Sequence, residues 1–180
     1  MARVLSRKLG PQLGQSIEVD NRTGANGSVA AEYVAAARPD GYTLMFGYIA
    51  THGINPVMQD VRYDPQADFV PVGLVGHSPS VLVVRAGQGL RTAKDLLEQL
   101  RSRPEVMNYA SAGEGTVPHL AAEILLKRHG VVAEGVTHSG AAPALNALMR
   151  GQAQWMVPSL FSALPYLKSV SYTHLRAHET

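Results

Sequence analysis

The chain has 180 residues, of which 46% are hydrophobic, so it carries enough apolar material for an ordinary globular core or part of a two-lobed protein. Lys and Arg outnumber Asp and Glu by only 16 to 14 and are scattered along the chain, which argues against nucleic acid as a partner. With no cysteine, the chain cannot form disulfides, thiolate metal sites or thiol nucleophiles, and its apolar runs are too short to predict a membrane span or a signal core.

Short β-type segments alternate with helical segments along the chain, which is typical of a parallel α/β sheet built from crossover units. The opening residues already follow a helical pattern that Gly10 and Pro11 disturb near its end, so the first strand of a crossover unit is expected to be missing. Strands are predicted at 16–20, 42–46, 70–75, 81–84, 107–110, 134–137 and 154–157. Helices are predicted at 27–37, 92–101, 117–129, 142–149 and 159–167.

Helix-end signals support several of these boundaries. Thr92 followed by Asp95 resembles an N-terminal cap, Pro118 suits a first helical turn, and Gly130 after three basic residues suits a C-terminal stop. From Ser171 onward the composition changes abruptly and the apolar residues follow neither a helical nor a strand period. Residues 169–180 are therefore predicted to be a non-native tail that is detached from the core.

The most informative local feature is the loop at 108–116, which runs from a predicted strand directly into a predicted helix. Gly113 and Gly115 allow a ligand to approach the backbone, Ser111 and Thr116 supply hydroxyls, and the first amides of the helix carry partial positive charge. This combination predicts an anion-binding loop.

Other interpretations of this loop remain open. It is also consistent with an ordinary glycine-containing turn that Thr116 caps, and the charge of Glu114 would repel an anion unless that side chain points outward. The loop lacks the Gly-Lys-Ser/Thr of a phosphate-binding P-loop and the third glycine of the dinucleotide fingerprint. Nucleotide binding is therefore poorly supported.

Two further residues are candidates for a ligand site. Thr51 follows a predicted strand, where ligands of open α/β sheets bind, although such a threonine more often closes a turn. His119 lies in the first turn of the helix after the glycine loop, where an isolated histidine is more often a packing residue. The seven histidines show no metal-ligand spacing and no hydrolase motif is present, so neither a metal site nor catalysis is predicted.

Several segments together resemble the Bug-type receptors of tripartite tricarboxylate transporters, in order and with near-family spacing from residue 1 to about Lys168. The matching segments are EVDNRTGANG at 18–27, RPDGYTL at 38–44, INP at 54–56, YDP at 63–65, DF at 68–69, NYASAG at 108–113, HLAAE at 119–123 and APAL at 142–145. Where many members of this family read Val-Pro-Tyr-Lys-Gly, this chain has VTHSG at 136–140, so ligand identity does not transfer. Pro158 and Ser159 stand where amino-acid-binding members tend to carry an aspartate, which favours a plain carboxylic acid as ligand.

The resemblance implies an α/β, periplasmic-binding-protein-like two-lobed fold that is incomplete at both ends. Residues 1–78 are expected to form part of lobe 1 without its first strand, and 79–168 part of lobe 2. The implied function is an extracytoplasmic receptor, periplasmic in the full-length protein, that captures a small carboxylate for membrane transporter subunits and needs no cofactor. The ligand-binding residues are predicted to be Thr51, Ser111, Gly113, Gly115, Thr116, His119 and Ser159.

Two alternative functions remain open at this point. One is a small-molecule enzyme on the same scaffold, with Ser111 and His119 as its best candidates for a nucleophile and a base. The other is a ligand-sensing input domain, which would share the site and differ only in its partner.

Overall fold

A computed structural model describes residues 1–167 and 172–174, and it divides the chain into two compact units, Met1–Val72 and Gly73–Thr180. The division falls close to the one expected after residue 78. That the two units correspond to two lobes stays a prediction. Within the described residues, none of the helices has the length and apolar character that crossing a bilayer requires.

The first unit is mainly helical. Its opening helix confirms the helical pattern of the first residues, and it continues through Pro11 to end at Gly14, which adopts a left-handed conformation with φ of 64°. Residues 50–58 form two helical turns that the sequence did not predict. The elements in chain order are α1 (Ala2–Leu13), a 3-10 turn (Ala25–Gly27), α2 (Ser28–Ala35), a π-helical turn (Ala50–Ile54) and α3 (Asn55–Met58).

The strands predicted at 16–20, 42–46 and 70–75 are not strands among the described residues. The apolar residues of the last segment are strongly exposed, with 87% of Val70 and 86% of Val72 accessible to solvent. A segment forms a strand only when its main chain is hydrogen-bonded to a neighbouring strand, and an alternating side-chain pattern does not provide that neighbouring strand. These three predictions were therefore wrong for this chain, although their side-chain pattern is that of a sheet.

A polar network ties the start of α2 to the helical turns at 50–58. The Asn55 side-chain amide donates to the Ser28 hydroxyl at 2.9 Å and to the Asn26 carbonyl at 3.1 Å, while the Tyr48 hydroxyl donates to the same carbonyl at 3.0 Å. Ala25 and Asn26 both have positive φ, which costs free energy for residues with a Cβ. The network therefore stabilises a strained turn inside the first unit.

The second unit contains the sheet. Its elements in chain order are β1 (Val83–Arg85), α4 (Ala93–Ser102), a 3-10 turn (Pro104–Val106), β2 (Tyr109–Ser111), α5 (Val117–His129), β3 (Gly135–Thr137), α6 (Ala141–Met149), β4 (Trp155–Met156), α7 (Leu160–Leu167) and β5 (Tyr172–His174). Strands and helices lie close to the predicted positions, and the α/β class is confirmed.

Across residues 1–167 and 172–174, the sheet has five strands in the order β3-β2-β4-β1-β5. β2 pairs with β3 and with β4 in parallel, as the sequence predicted. β1 is antiparallel to β4, with Val83 opposite Met156 and Val84 opposite Trp155, so the expectation of an all-parallel sheet was wrong for this strand. Alternation of strands and helices predicts crossovers, but it does not specify the direction in which each strand enters the sheet.

The predicted detachment of the tail was wrong for Tyr172–His174. This segment pairs with the outer edge of β1, with Val84 opposite Thr173. An exposed edge strand offers unpaired main-chain groups to any extended segment, whatever the periodicity of that segment's side chains. The remainder of the predicted tail, 169–171 and 175–180, lies outside the described residues, and its non-native origin stays a prediction.

Alternate residues of the central strands supply two hydrophobic clusters, as the two-residue period of a strand requires. One cluster, with residues from α4 and α5, contains Val84, Leu90, Leu96, Leu100, Met107, Tyr109, Ala122, Leu126, Val131 and Trp155. The other, with residues from α6 and α7, contains Val83, Ala110, Ala144, Leu145, Leu148, Ala153, Met156 and Ala163. The second unit is thus a sheet buried between two helical layers, which holds its strand ends in place.

The predicted helix ends of the second unit are confirmed. The Thr92 hydroxyl accepts from the Asp95 amide at 3.1 Å, and the Asp95 carboxylate accepts from the Thr92 amide at 2.9 Å, so the two residues form a capping box for α4. A backbone hydrogen bond from Arg91, followed by those from the Thr92 hydroxyl and amide, lowers the pKa of Asp95. Gly130 ends α5 with φ of 60°.

Candidate functional site

The carboxyl ends of three parallel strands meet at one edge of the second unit's sheet. β2 continues through residues 112–116 into α5, β3 through 138–140 into α6, and β4 through 157–159 into α7. Ligands of α/β sheets bind beyond the carboxyl ends of parallel strands, where helices also begin. This edge is therefore the candidate site, and it contains six of the seven residues that the sequence predicted.

The glycine loop between β2 and α5 is a tight turn closed from within. The Thr116 hydroxyl donates to the Gly113 carbonyl at 2.6 Å, and the Thr116 amide donates to the same oxygen at 3.3 Å. Gly113 has φ of 129° and Gly115 has φ of 70°, values that residues with a Cβ rarely adopt. Both glycines are therefore required by the backbone of this loop, independently of any ligand.

Thr116 occupies the N-cap position of α5, but its hydroxyl donates to Gly113 and does not cap a helix amide. The interpretation of the loop as an ordinary capped turn is thus correct for the position of Thr116 and wrong for its hydrogen bond. The first turn of a helix has amides without an intrahelical acceptor. In α5 these belong to Val117 and His119, since Pro118 between them has no N–H. These groups give the helix start its partial positive charge.

His119 contacts the loop from the first turn of α5. Its Nδ1 accepts a hydrogen bond from the Gly115 amide at 3.2 Å, and its ring lies 6.5 Å from the ring of Tyr109, centroid to centroid. The imidazole therefore bonds to the loop backbone itself.

Tyr109 connects this arrangement to the hydrophobic core, a role that the sequence did not reveal. Its hydroxyl donates to Glu123 on the next turn of α5, and its ring packs 5.2 Å from that of Trp155. Burial first, and then the hydrogen bond and charge of Glu123, raise the pKa of Tyr109 well above its usual range. The only sequence signal was that Tyr109 and Glu123 lie within two segments of the family resemblance.

The loop after β3 lies against the glycine loop. The His138 amide donates to the Ser111 carbonyl at 3.0 Å, and a Cβ added at Gly113 would lie 3.8 Å from the His138 carbonyl oxygen. Ser111 is fully buried, and its hydroxyl donates to that of Thr137 at 3.4 Å. Ser111 thus joins the two strand ends, and a direct contact with a ligand stays a prediction.

Ser159 lies at the same edge, after β4. It forms an antiparallel bridge with Ser80, and its hydroxyl accepts from the Ser162 amide at 3.3 Å at the start of α7. Its oxygen is also 2.9 Å from the Ser162 hydroxyl. These bonds make Ser159 a cap for α7, and a direct contact with a ligand stays a prediction.

Thr51 belongs to the first unit, where its hydrogen bonds are internal. It is fully buried, its hydroxyl donates to the Tyr48 carbonyl at 2.9 Å, and its oxygen accepts from the Tyr48 amide at 3.3 Å. The hydroxyl also lies 2.9 Å from Nδ1 of His52. This is the turn-closing role that the sequence left open as the alternative, and a ligand contact stays a prediction.

Two other features bear on the charge and shape of possible sites. Glu114 is exposed to solvent.

Among residues 1–167 and 172–174, no group of three or more His, Asp or Glu is placed to hold a metal ion. The first unit has an open cleft of about 470 Å³ between α1 and the segment that follows it, and this cleft contains none of the predicted ligand-binding residues.

A family model described as the tripartite tricarboxylate transporter family receptor matches residues 1–179. The chain belongs to this receptor family. The resemblance read from its motifs is thereby confirmed, and the match continues beyond Lys168. A relative from Pseudomonas sp. (strain P51), the UPF0065 protein in the tcbD-tcbE intergenic region, is 38% identical over 165 residues, which are 90% of this chain and 48% of the relative. The chain thus spans about half the length of this relative.

Several solved structures share the fold of this chain. R. palustris Rpa4515 with adipate superposes with a TM-score of 0.88 at 32% identity, over 97% of this chain and 58% of that one. MatC from Rhodopseudomonas palustris with bound malate gives a TM-score of 0.83 at 34% identity, over 96% of this chain and 59% of that one. A third match, at 28% identity and a TM-score of 0.81, is described as the periplasmic binding protein BugD. The α/β fold of this chain is thus that of periplasmic binding proteins.

Proposed function

We propose that this chain is part of a solute receptor that binds a small organic acid at the edge formed by the glycine loop and the start of α5. The observation that carries the proposal is the hydrogen bonding of Thr116. Its hydroxyl closes the loop on Gly113, so the first turn of α5 is not capped by this side chain. A carboxylate oxygen of a ligand is a suitable acceptor for the amide N–H groups in the first turn of α5.

The surroundings of the loop suit an anionic ligand. Two neighbouring helices, α5 and α6, begin at the same sheet edge, and Gly140 precedes α6 with φ of 123°. The first turns of both helices are made of neutral residues and His119. Two helix starts at one edge provide partial positive charge without a fixed cation, which fits reversible binding of an acid.

Two similar structures with bound acids, and two residues after β4, narrow the class of acid that this chain is expected to bind. Adipate and malate are the acids bound in two similar structures, and both are dicarboxylates without an ammonium group. Pro158 and Ser159 supply no carboxylate after β4 that would pair with an ammonium group. A dicarboxylic acid of four to six carbons is therefore the first class to test.

The cellular role follows from the same proposal. In this proposal the receptor acts in the periplasm and delivers its acid to membrane subunits of a tripartite transporter. The transporter named in the family description and the periplasmic binding protein BugD among the similar structures support it. The receptor delivers its acid without turnover. Ser111 and His119, the candidates for an enzyme, are engaged by different partners, Thr137 and Gly115 respectively, so they do not form a nucleophile and base pair in this arrangement.

The test is a calorimetric titration of the complete encoded protein with a panel that includes adipate, malate and matched monocarboxylates. Binding at a ligand concentration about 100 times the Kd stabilises the folded state by about 2.7 kcal/mol, so a rise in melting temperature should accompany the heat signal. NMR spectra of the acid after prolonged incubation should show no product. If no acid in the panel produces either heat or thermal stabilisation, the proposal is wrong.

Variants locate the site. Thr116→Ala removes the hydroxyl that closes the loop, and we expect it to weaken binding by about 1 to 3 kcal/mol, which is roughly 5- to 150-fold in Kd. Ser102→Ala is the matched control, because the Ser102 hydroxyl also donates to a backbone carbonyl, that of Gln99, at the far end of α4. Glu114→Gln tests the charge of the loop, and with Glu114 exposed to solvent the affinity should barely change. Equal affinity of Thr116→Ala and Ser102→Ala would remove the loop from the site.

A further inference from the structure

We infer that His119 is a positioning residue for acid binding, which sets the shape of the glycine loop through the Gly115 amide. The inference rests on the proposed function, because the loop it shapes is the proposed acid site. It differs from the sequence prediction that His119 itself contacts the ligand.

The geometry of the hydrogen bond defines what the imidazole must do. Nδ1 of His119 lies 3.2 Å from the Gly115 amide nitrogen, which is its donor. An imidazole nitrogen accepts only through its lone pair, so this hydrogen bond requires the tautomer that carries its proton on Nε2. The bond spans the turn between loop and helix, and it ties the more buried glycine of the loop to α5.

The imidazole is itself held in place by the core. Its ring lies at 33° to the ring of Tyr109, with 6.5 Å between centroids, and the Tyr109 hydroxyl is bonded to Glu123 one turn along α5. Tyr109 in turn packs against Trp155, whose indole N–H donates to the Met107 carbonyl at 2.8 Å. A series of contacts therefore runs from the buried strands to the loop backbone, with His119 as its last side chain.

The loop needs such a restraint because of its two glycines. Gly115 at φ of 70° and Gly113 at φ of 129° have access to many backbone conformations, and glycine loses more conformational freedom on ordering than any other residue. A loop that is ordered before the ligand arrives loses less entropy on binding. By fixing the Gly115 peptide, His119 orders the loop in advance, which strengthens binding without contact to the acid.

The inference separates two substitutions that are both polar and both smaller than histidine. In His119→Asn the side-chain oxygen is attached to Cγ, as Nδ1 is in histidine, so it can accept from the Gly115 amide. In His119→Gln the amide oxygen and nitrogen lie one bond further out, near the position of Nε2 in histidine, so neither can take over that bond in the same geometry. A role in packing alone would not distinguish these variants in this direction.

Two measurements on the complete encoded protein test this. Amide hydrogen exchange of Gly115 should be slow in the wild type and in His119→Asn, and at least tenfold faster in His119→Gln and His119→Leu. Calorimetric titration with adipate should give a Kd for His119→Asn within about threefold of the wild type, and a Kd at least tenfold weaker for His119→Gln and His119→Leu. The ¹⁵N spectrum of the wild-type imidazole should show an unprotonated Nδ1 and a protonated Nε2.

The outcomes keep this inference separate from the proposed function. If the wild type binds no acid, the proposed function fails, and the exchange of Gly115 still tests the hydrogen bond. If the wild type binds adipate but His119→Gln binds it equally well, the positioning role is overturned. A protonated Nδ1, or Gly115 exchange that does not depend on residue 119, would equally overturn it. His119→Asn also controls for a folding defect. His119→Asn and His119→Gln should melt at similar temperatures, so a difference in Kd between them would reflect the hydrogen bond to Gly115 and not the stability of the fold.

Discussion

Replacing Gly135 with alanine places a methyl group where the side chain of Tyr109 now lies. A Cβ at Gly135 would be 2.6 Å from both Cζ and the hydroxyl oxygen of Tyr109, and 3.1 Å from its Cε1. Carbon atoms in contact prefer separations of about 3.5 to 4.0 Å, so the ring must move by roughly 1 Å. Tyr109 is only 2% exposed, packs against Trp155 and is bonded to Glu123, so there is little room for that movement.

The expected cost follows from these contacts. Overpacking a well-packed core costs about 1 to 3 kcal/mol, and a tyrosine that moves away from Glu123 loses a hydrogen bond to a charged group worth about 1.5 to 3 kcal/mol. Because the ring can relieve the clash by giving up part of that bond, the two costs do not add fully, and we expect about 2 to 4 kcal/mol. For a chain of this length each kcal/mol lowers the melting temperature by about 2 to 4 °C.

Urea denaturation followed by circular dichroism measures this cost, with Gly76→Ala as the control, because a Cβ at Gly76 would have no atom within 4 Å. The control should change the free energy of unfolding by less than about 0.5 kcal/mol. A double-mutant cycle identifies the cause: in a Tyr109→Ala background, Gly135→Ala should cost almost nothing. If the cost of Gly135→Ala is the same in both backgrounds, or no larger than that of the control, the proposed clash is not its cause.

Three further predictions concern other elements. Hydrogen bonds lower the pKa of Asp95 in the folded state, so the ionised carboxylate stabilises the fold fully above the ordinary pKa of 3.8. This stabilisation is lost as the pH falls through the folded-state pKa. The melting temperatures of Asp95→Asn and the wild type should therefore converge at acidic pH, and a difference that does not change with pH would contradict this. Gly113→Ala, at φ of 129°, should cost about 1 to 3 kcal/mol of stability and weaken adipate binding, whereas Gly89→Ala, at φ of 74° with no atom within 4 Å, should lower stability alone. Deleting residues 169–180 should accelerate amide exchange in β1 and leave that in β2 unchanged, and protection of β1 without the tail would show that β5 pairing contributes nothing.

The helices of the second unit were predictable from sequence because local chemistry determines them. α5 begins and ends where Pro118 and Gly130 indicated, and Thr92 with Asp95 gave the start of α4. These signals act within four residues of one another, so a single sequence contains all the information they need. The order of the strands and the reversal of β1 depend on distant residues, and neither followed from local pattern.

The candidate site was predictable in its location and not in its hydrogen bonds. The succession of strand, glycine loop and helix in the sequence places Gly113 and Thr116 at a sheet edge. The partners of Thr116 and His119 depend on side-chain rotamers within a loop whose glycines permit many backbone conformations. The importance of Gly135 was likewise invisible, because its neighbour Tyr109 is on another strand and meets it only through the pairing of β2 with β3.

The burial of Trp155 gives the molecule a built-in optical reporter. It is the only tryptophan in the sequence, it is fully buried, and it lies in the second unit against Tyr109. Its emission will therefore follow the unfolding of the second unit alone, whereas circular dichroism follows the helices of both. Two transitions that coincide would mean that the units unfold as one cooperative body, and a fluorescence transition that is displaced from the dichroic one would mean that each unit has a stability of its own. A single fluorophore thus allows the cooperativity of the chain to be measured without labelling.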